Sequence, residues 1–370
     1  MSLSYWEYKT WLSNIDFTIV GSGIVGLSCA LRLREKFPSA KILILERGIL
    51  PNGASTKNAG FACFGSLSEI LDDLNTHSEE EVLQLVEKRN RGLQLLRKKL
   101  GDATMDYRNN GGYELFTKTD YLLYETCLSK IEKINTFLKP IFNDQVFLKK
   151  DNIFNFKNIQ PHYILNQFEG QIDTGKMMEA LLNKAQTANI KILNNCKVLD
   201  IVDSSESVEI KTDHFTLRSH KVLIAANGFA SQLGIKNVKP ARAQVVITKP
   251  IKDLHIQGTF HLDKGYYYFR NIDHRILFGG GRNLDFKAEE TTEMNQTPLV
   301  QQKLEDILKT IILPDMEFEI DRRWSGIMGV GNQKKSIVTQ ISNNVFCGVR
   351  LGGMGVAIGS LVGTELADLL

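Results

Sequence analysis

The chain has 370 residues and a formal net charge of +3, from 45 basic against 42 acidic side chains. That length allows two domains with sizeable cores, and the near-balanced charge gives no argument for a nucleic acid or an anionic membrane as partner. Five scattered cysteines (Cys29, Cys63, Cys127, Cys196, Cys347) form no C-x-x-C pair, so neither a zinc site nor a disulfide framework is expected and a reducing, cytoplasmic setting fits. No apolar run approaches the roughly eighteen residues of a membrane span. The first fourteen residues, with Trp6, Glu7, Lys9 and Trp11, lack the apolar core of a signal peptide.

The first strong pattern is Phe17 to Gly48. Four β-favouring residues (Phe17 to Val20) run into Gly21-Ser22-Gly23-Ile24-Val25-Gly26, a helical pattern follows to about Phe37, and the apolar strand Lys41 to Leu45 ends at Glu46. Strand, glycine turn, helix, second strand and an acid about 20 residues past the last glycine make the dinucleotide-binding arrangement. Gly21 allows the tight turn, Gly23 lets a pyrophosphate approach the backbone, and Gly26 lets the helix pack on the strand. The helix start offers free N–H groups to phosphate, and Glu46 is placed to accept from ribose hydroxyls.

After Glu46-Arg47-Gly48 the chain enters the loop Pro51 to Ala62 instead of a further helix and parallel strand. Its small residues and Gly60 suit close approach to a ligand, and Ser55, Thr56 and Asn58 can donate to phosphates. Taken alone, this loop reads more readily as plain surface. Ser78 and Glu81 form a capping box for a helix from Glu79 to Leu100, with Val82, Leu85, Val86, Leu93, Leu96 and Leu100 on one face. Arg97-Lys98-Lys99 close it where the dipole favours cations.

Tyr107 to Phe116 reads as a strand pair around Asn109 to Gly112, and a second amphipathic helix spans about Asp120 to Leu138. The aromatic stretch Ile141 to Asn166 gives no clear pattern. A helix from about Lys176 to Ala188 leads to the strand Lys191 to Leu193 and two short antiparallel strands, Val198 to Val202 and Val208 to Thr212. The unbroken apolar run Val222 to Ala226, ended by Asn227-Gly228, reads as a buried parallel strand. It lies far from the first strand, so the nucleotide domain is assembled from separated segments.

Val238 to Arg323 is mostly strands, with one helix at about Pro298 to Thr310 and a hairpin around Asn271 to His274. In Tyr266-Tyr267-Tyr268-Phe269-Arg270, alternation puts Tyr266, Tyr268 and Arg270 on one face. That face could line a pocket while the other packs on a core. Val345 to Val349 is a strand and Val356 to Leu370 the closing helix, joined by Arg350-Leu351-Gly352-Gly353-Met354-Gly355, a second glycine-rich loop opening a helix. Gly355, Gly359 and Gly363 share one helix face and imply close packing. The seven histidines show no metal-ligand spacing, so no metal is expected.

Taken together these segments resemble the D-amino-acid oxidase superfamily of FAD-dependent oxidoreductases over nearly the whole length. The resemblance rests on GSGIVGLSCA with Glu46, GASTKNAGFA, VLIAANGFASQLG, YYYFRNIDHRILFGGG and the C-terminal RRWSGIMG…NVFCGVRLGGMGVAIGSLVGTELADLL. Within the superfamily, glycine oxidase-type and γ-glutamylputrescine oxidase-type members look most similar. The resemblance implies an α/β fold: a Rossmann-like FAD-binding domain from discontinuous segments (1–75, 165–236 and 324–370) and an α+β substrate domain with a mainly antiparallel sheet (76–164 and 237–323). It implies FAD held by the first glycine loop with Glu46 and Arg47. It places Ser55, Thr56, Asn58 and the run Ala59, Gly60, Phe61, Ala62 near the pyrophosphate and flavin, and Val198 by the adenine. Ala226, Asn227 and Gly228 follow the return strand, and Gly352, Gly353, Met354, Gly355 and Val356 would lie by the flavin ring.

The implied chemistry is hydride transfer from a C–H bond alpha to an amine nitrogen onto flavin N5, hydrolysis of the imine, and passage of electrons to O₂ or another acceptor. Tyr268, Arg270 and Met328 are expected at the substrate site. Two departures matter. The arginine that relatives place soon after Trp-Ser-Gly is missing after Trp324-Ser325-Gly326-Ile327, where Met328 follows, and the one used in glycine oxidases falls at Gly353. A substrate carboxylate would then need Arg270, Arg242 or Arg350. The cysteine of sarcosine oxidase-type members falls near Ile327–Met328, so FAD is expected to be non-covalent. Two other readings of the same motifs are a tRNA wobble-uridine-modifying lobe and a non-catalytic or electron-transfer flavoprotein.

Overall fold

A computed structural model describes residues 3–370. Its two large sheets divide the motifs between them. The first has the order Ile337–Gln340, Val345–Val349, Thr216–Ile224, Ile15–Val20, Ile42–Leu45, Lys191–Leu193. All of its neighbours in that order pair in parallel except the two C-terminal strands. Val222, Leu223 and Ile224 pair with Thr18, Ile19 and Val20, so the distant apolar run does return beside the first strand. Both are covered on two faces, which is why they read as continuous apolar runs. The antiparallel pair Val198–Asp203 and Val208–Thr212 extends from the Thr216–Ile224 strand.

Helices Ile24–Lys36 and Gly355–Asp368 pack on this sheet and on each other, Glu79–Leu100 packs on Gly355–Asp368, and glycine makes the helix–helix distances possible. A Cβ on Gly363 would run into Val25 O, one on Gly359 into the Ile24 side chain, and one on Gly92 into Ala357 O. The expected glycine stripe on the closing helix is therefore a packing seam, reinforced by a Ser28–Ser360 hydroxyl contact of 3.3 Å.

The second sheet orders its strands Ile320–Val330, Lys239–Thr248, Arg275–Gly280, Tyr267–Ile272, Thr259–Leu262, Gly112–Glu114, His162–Asn166, Phe147–Asp151. Only the Thr259–Leu262 and Gly112–Glu114 pair is parallel. The Tyr267–Ile272/Arg275–Gly280 hairpin turns on Asp273 and His274, whose φ angles of 48° and 57° make the left-handed two-residue turn that suits strand twist. Tyr267 and Phe269 point into an aromatic core with Phe260 and Phe278, while Tyr266 and Tyr268 face away from it.

Four sequence expectations change. Tyr107 to Phe116 forms no hairpin: Arg108 only bridges to Gln171, and Gly112–Glu114 pairs instead with His162–Asn166 and Thr259–Leu262. The second helix runs Tyr121–Phe142 through Pro140 and stops at Asn143 with φ 52°. Proline in a last turn removes one N–H bond without breaking the helix. The aromatic stretch without a clear pattern supplies the edge strand Phe147–Asp151 and its inner neighbour His162–Asn166, and position 324 lies inside the Ile320–Val330 strand, which runs along Lys239–Thr248.

Candidate active site

One cavity of about 460 Å³ runs between the sheets and collects both glycine loops. At the first, Gly21 has φ 105°, and a Cβ there would lie 2.9 Å from Ala225 O. Ile24 N at the helix start donates to Ser55 Oγ at 3.0 Å, so the Pro51 to Ala62 loop closes over the glycine turn. Buried Glu46 accepts from Ser22 N (3.0 Å), Ser22 Oγ (2.7 Å) and Gly48 N (2.9 Å), and it still borders the cavity. Arg47 lies over the Phe229 ring at 3.5 Å, with burial drawing its guanidinium below the usual range. Val198 borders the same end.

The second glycine loop forms the opposite end. Arg350 and Gly352 have φ 65° and 59°, and Asn227 Oδ1 accepts from Leu351 N at 3.2 Å, tying the return strand to this loop. The helix Gly355–Asp368 starts with no side-chain cap, and a Cβ on Gly353 would meet no atom within 4 Å. Uncapped N–H groups beside open space offer a site for negative charge. Phe61, Tyr268, Met328 and His261 line the wall of this cavity. Burial pushes the Tyr268 phenol up to about 12, so it stays neutral.

Some expected site residues work one layer back. Ser22 holds Glu46, and a Cβ on Gly26 would collide with Gly21 O. Thr56 Oγ1 donates to Pro51 O (2.7 Å) and Gly53 O (3.1 Å), closing a turn. Asn58 borders the cavity, but its amide serves Ala54 O, Ser55 O, Gly60 N and Thr174 Oγ1. The expectation of phosphate donors therefore narrows to Ser55. Gly60, with φ 74°, and Ala62 pack behind the loop, and Gly228 abuts Met328 O.

Arg270 is the main correction. Although it follows the Tyr268 face, it does not line the cavity. Its guanidinium donates to Ile172 O (2.8 Å) and Gly60 O (3.4 Å), and burial draws it down to about 10. Arg242 is likewise occupied, by both oxygens of Glu289 (2.8 Å each) and by Asn295. Of the three expected carboxylate partners only Arg350 lines the cavity. Burial first, then the neighbouring Arg89, draws its guanidinium below its usual range.

Arg89, on the Glu79–Leu100 helix, was not singled out from sequence. It is buried, donates to Phe64 O at 2.7 Å, and shares the cavity with Arg350. Each guanidinium keeps an unpartnered Nε, and neither has a carboxylate partner among the described residues. His261 and Glu69 were also missed. A buried arginine inside an amphipathic stripe is the signal that could have found Arg89.

A glycine turn under a buried acid, a second uncapped helix start and a mixed apolar and charged pocket in one cavity define a two-domain dinucleotide-binding oxidoreductase. The residues present fit FAD: both glycine segments present backbone to open space, as an extended cofactor requires. The family model described as FAD dependent oxidoreductase (DAO) matches residues 16–369, and the chain belongs to that family. Glycine oxidase from Geobacillus kaustophilus superposes with a TM-score of 0.75 at 20% identity, covering 96% of this chain and 94% of that one. Iminodiacetate oxidase from Chelativorans superposes with a TM-score of 0.74 at 17% identity, covering 95% and 94%. Among sequences, the "Probable oxidoreductase OrdL" of Haemophilus influenzae is 20% identical, covering 98% of this chain and 84% of its own length. No described helix is long and apolar enough to cross a membrane, and no described group of side chains could hold a metal ion.

Proposed function

We propose that this FAD-dependent oxidoreductase oxidises a primary or secondary amine to an imine, which water then hydrolyses, and that electrons pass on to O₂ or another acceptor. The observation that carries the reading is the pairing, in one cavity, of the uncapped Gly355 helix start with the wall formed by Phe61, Tyr268 and Met328. When bound there, FAD supplies the hydride acceptor. The protein's part is to orient the substrate and exclude water from the reacting carbon. Ser55, Arg47 and Val198 would hold the adenosine and pyrophosphate end, and Gly352 to Val356 the flavin end.

Arg89 and Arg350 favour a substrate that carries a carboxylate beside its amine, since a bound anion would offset the cost of two neighbouring buried guanidinium groups. No cysteine lies at Ile327–Met328, which supports a non-covalent cofactor. Five buried free thiols suit a reducing compartment such as the cytoplasm. The purified protein should be yellow and release free FAD on denaturation. Anaerobic mixing with glycine, sarcosine, proline, D-amino acids and polyamines should bleach it with at least one carboxylate-bearing amine. A colourless protein that takes up no FAD, or a flavin that no amine bleaches, would sink the reading.

A further inference from the structure

Beside Tyr268 the cavity wall holds one imidazole whose two nitrogens face different surroundings. His261 lies in register with Tyr268 on one side and Glu114 on the other. It is 5% exposed and packs edge-on against Phe61 at 5.2 Å. Its Nε2 lies 3.5 Å from Glu169 Oε2, within ion-pair distance, and neither atom has a hydrogen-bond partner among the described residues. The other oxygen of Glu169 accepts from Phe64 N (3.0 Å) and Gly65 N (3.1 Å), which fixes the carboxylate. Glycine at 112 leaves room for it, since a Cβ there would meet Glu169 Oε2. Nδ1 takes no hydrogen bond from any described residue, and the ring borders the cavity. A carboxylate this close to Nε2, with no other partner for either atom, favours the proton on that nitrogen and leaves the Nδ1 lone pair free.

We propose that His261, oriented by Glu169, accepts the proton of the substrate's nitrogen, so that a bound ammonium becomes the neutral amine that is oxidised. This rests on the amine-oxidation reading above. The N–H bond breaks, its electron pair stays on nitrogen and the proton moves to Nδ1. The hydrogen on the alpha carbon then departs with its electron pair to the family's flavin, and the nitrogen lone pair closes the C=N bond. The substrate loses two electrons, the flavin gains them, and His261 later returns its proton to solvent. Glu169 is a positioning residue.

The groups facing the ring come from every neighbouring element. Glu169, Glu69 and Glu114 are carboxylates, and Glu114 is itself pushed up by burial despite accepting from Ser68. Tyr268 and Cys63 stay neutral because burial raises both. Lys264 pairs with Asp72 at 3.2 Å and Arg89 with Phe64 O. Burial pulls the imidazole down, but Glu169, with Glu69 and Glu114, outweighs it, so His261 titrates above its ordinary range. An acceptor in that range serves near neutral pH.

The test is anaerobic stopped-flow reduction of the holoenzyme against pH, with glycine, sarcosine, proline and putrescine as probes. The wild type should show reduction rising with pH along an acid limb above about 6.5. His261→Asn should lower the reduction efficiency by roughly 100- to 1,000-fold and abolish that limb. Glu169→Gln should keep reduction but move the limb to lower pH. Without turnover, ¹³Cε1-histidine NMR should show a resonance titrating above 6.5 that moves below it in Glu169→Gln. Should His261→Asn not fold, the Glu169→Gln limb and resonance decide the question. Reduction by an amine with the limb unchanged in either variant overturns the His261 assignment alone. Failure of every amine to reduce the flavin overturns the amine reading and this assignment with it.

Discussion

The two ends of the cavity are built from different materials. The nucleotide end is mostly backbone: Gly21, Gly23 and the helix start at Ile24 derive their chemistry from what they lack, and neighbouring residues fix them locally. The substrate end is made of side chains drawn from five separate segments. Arg89 comes from a helix, Glu169 from the turn before the short strand Gly170–Gln171, Phe61 from the strand paired with it, and His261 and Tyr268 from neighbouring strands of the second sheet. Main-chain N–H groups keep their properties wherever the chain runs. Buried ionisable groups acquire theirs from neighbours. On the proposed reading, the nucleotide end therefore rests on local backbone and the substrate end on neighbours brought together by the fold.

The comparison can be broken most forcefully at a glycine. Gly26→Val should collide with Gly21 O, abolish FAD retention and cost about 3 kcal/mol or more of stability. Absorbance at flavin wavelengths and denaturant unfolding check both. A yellow, stable variant would mean the glycine turn is not the cofactor's anchor.

At the substrate end, Arg350→Met and Arg89→Met should each raise the KM of a carboxylate-bearing amine by about 30-fold or more, as loss of a buried charged partner costs about 2–5 kcal/mol. The KM of an uncharged-tail alkylamine should change little. Equal loss for both substrates would show that the two arginines only support the fold. Arg270→Met should leave Ile172 O unpaired, while Gly60 O keeps its bond from Ile172 N, and should destabilise the protein by about 1–3 kcal/mol, with weaker FAD retention and an unchanged preference among substrates. A selective change in carboxylate KM would return Arg270 to the substrate site.

The smallest effect concerns pH. Because the His261 imidazole titrates above its ordinary value in the folded protein, its contribution to stability is fully present below about pH 6.5. It is lost as pH rises through the folded value. The unfolding free energy of wild type minus that of His261→Asn should therefore shrink between pH 6 and pH 9. A difference independent of pH would show that the Glu169 contact does not hold the charged form.

The sequence by itself determined the nucleotide half. The pattern from Phe17 to Glu46, the return run at Val222 and the glycine loop at Gly352 were legible because each couples a local backbone need to a residue type. The Glu79–Leu100 helix was legible in the same way, through its cap and its stripe. Pairing without local partners was not. Tyr107 to Phe116 looked like a hairpin, yet its strand neighbours lie at His162 and Thr259. Alternation placed Arg270 on the Tyr268 face correctly, but it could not say that the guanidinium would end on Gly60 O and Ile172 O. Tertiary structure alone decided that Arg270 serves the loop, that Arg89 joins Arg350, and that His261 meets Glu169. The physical reason is that a charged side chain's role follows from what desolvates and pairs it, and those neighbours come together only when the two sheets close on one cavity.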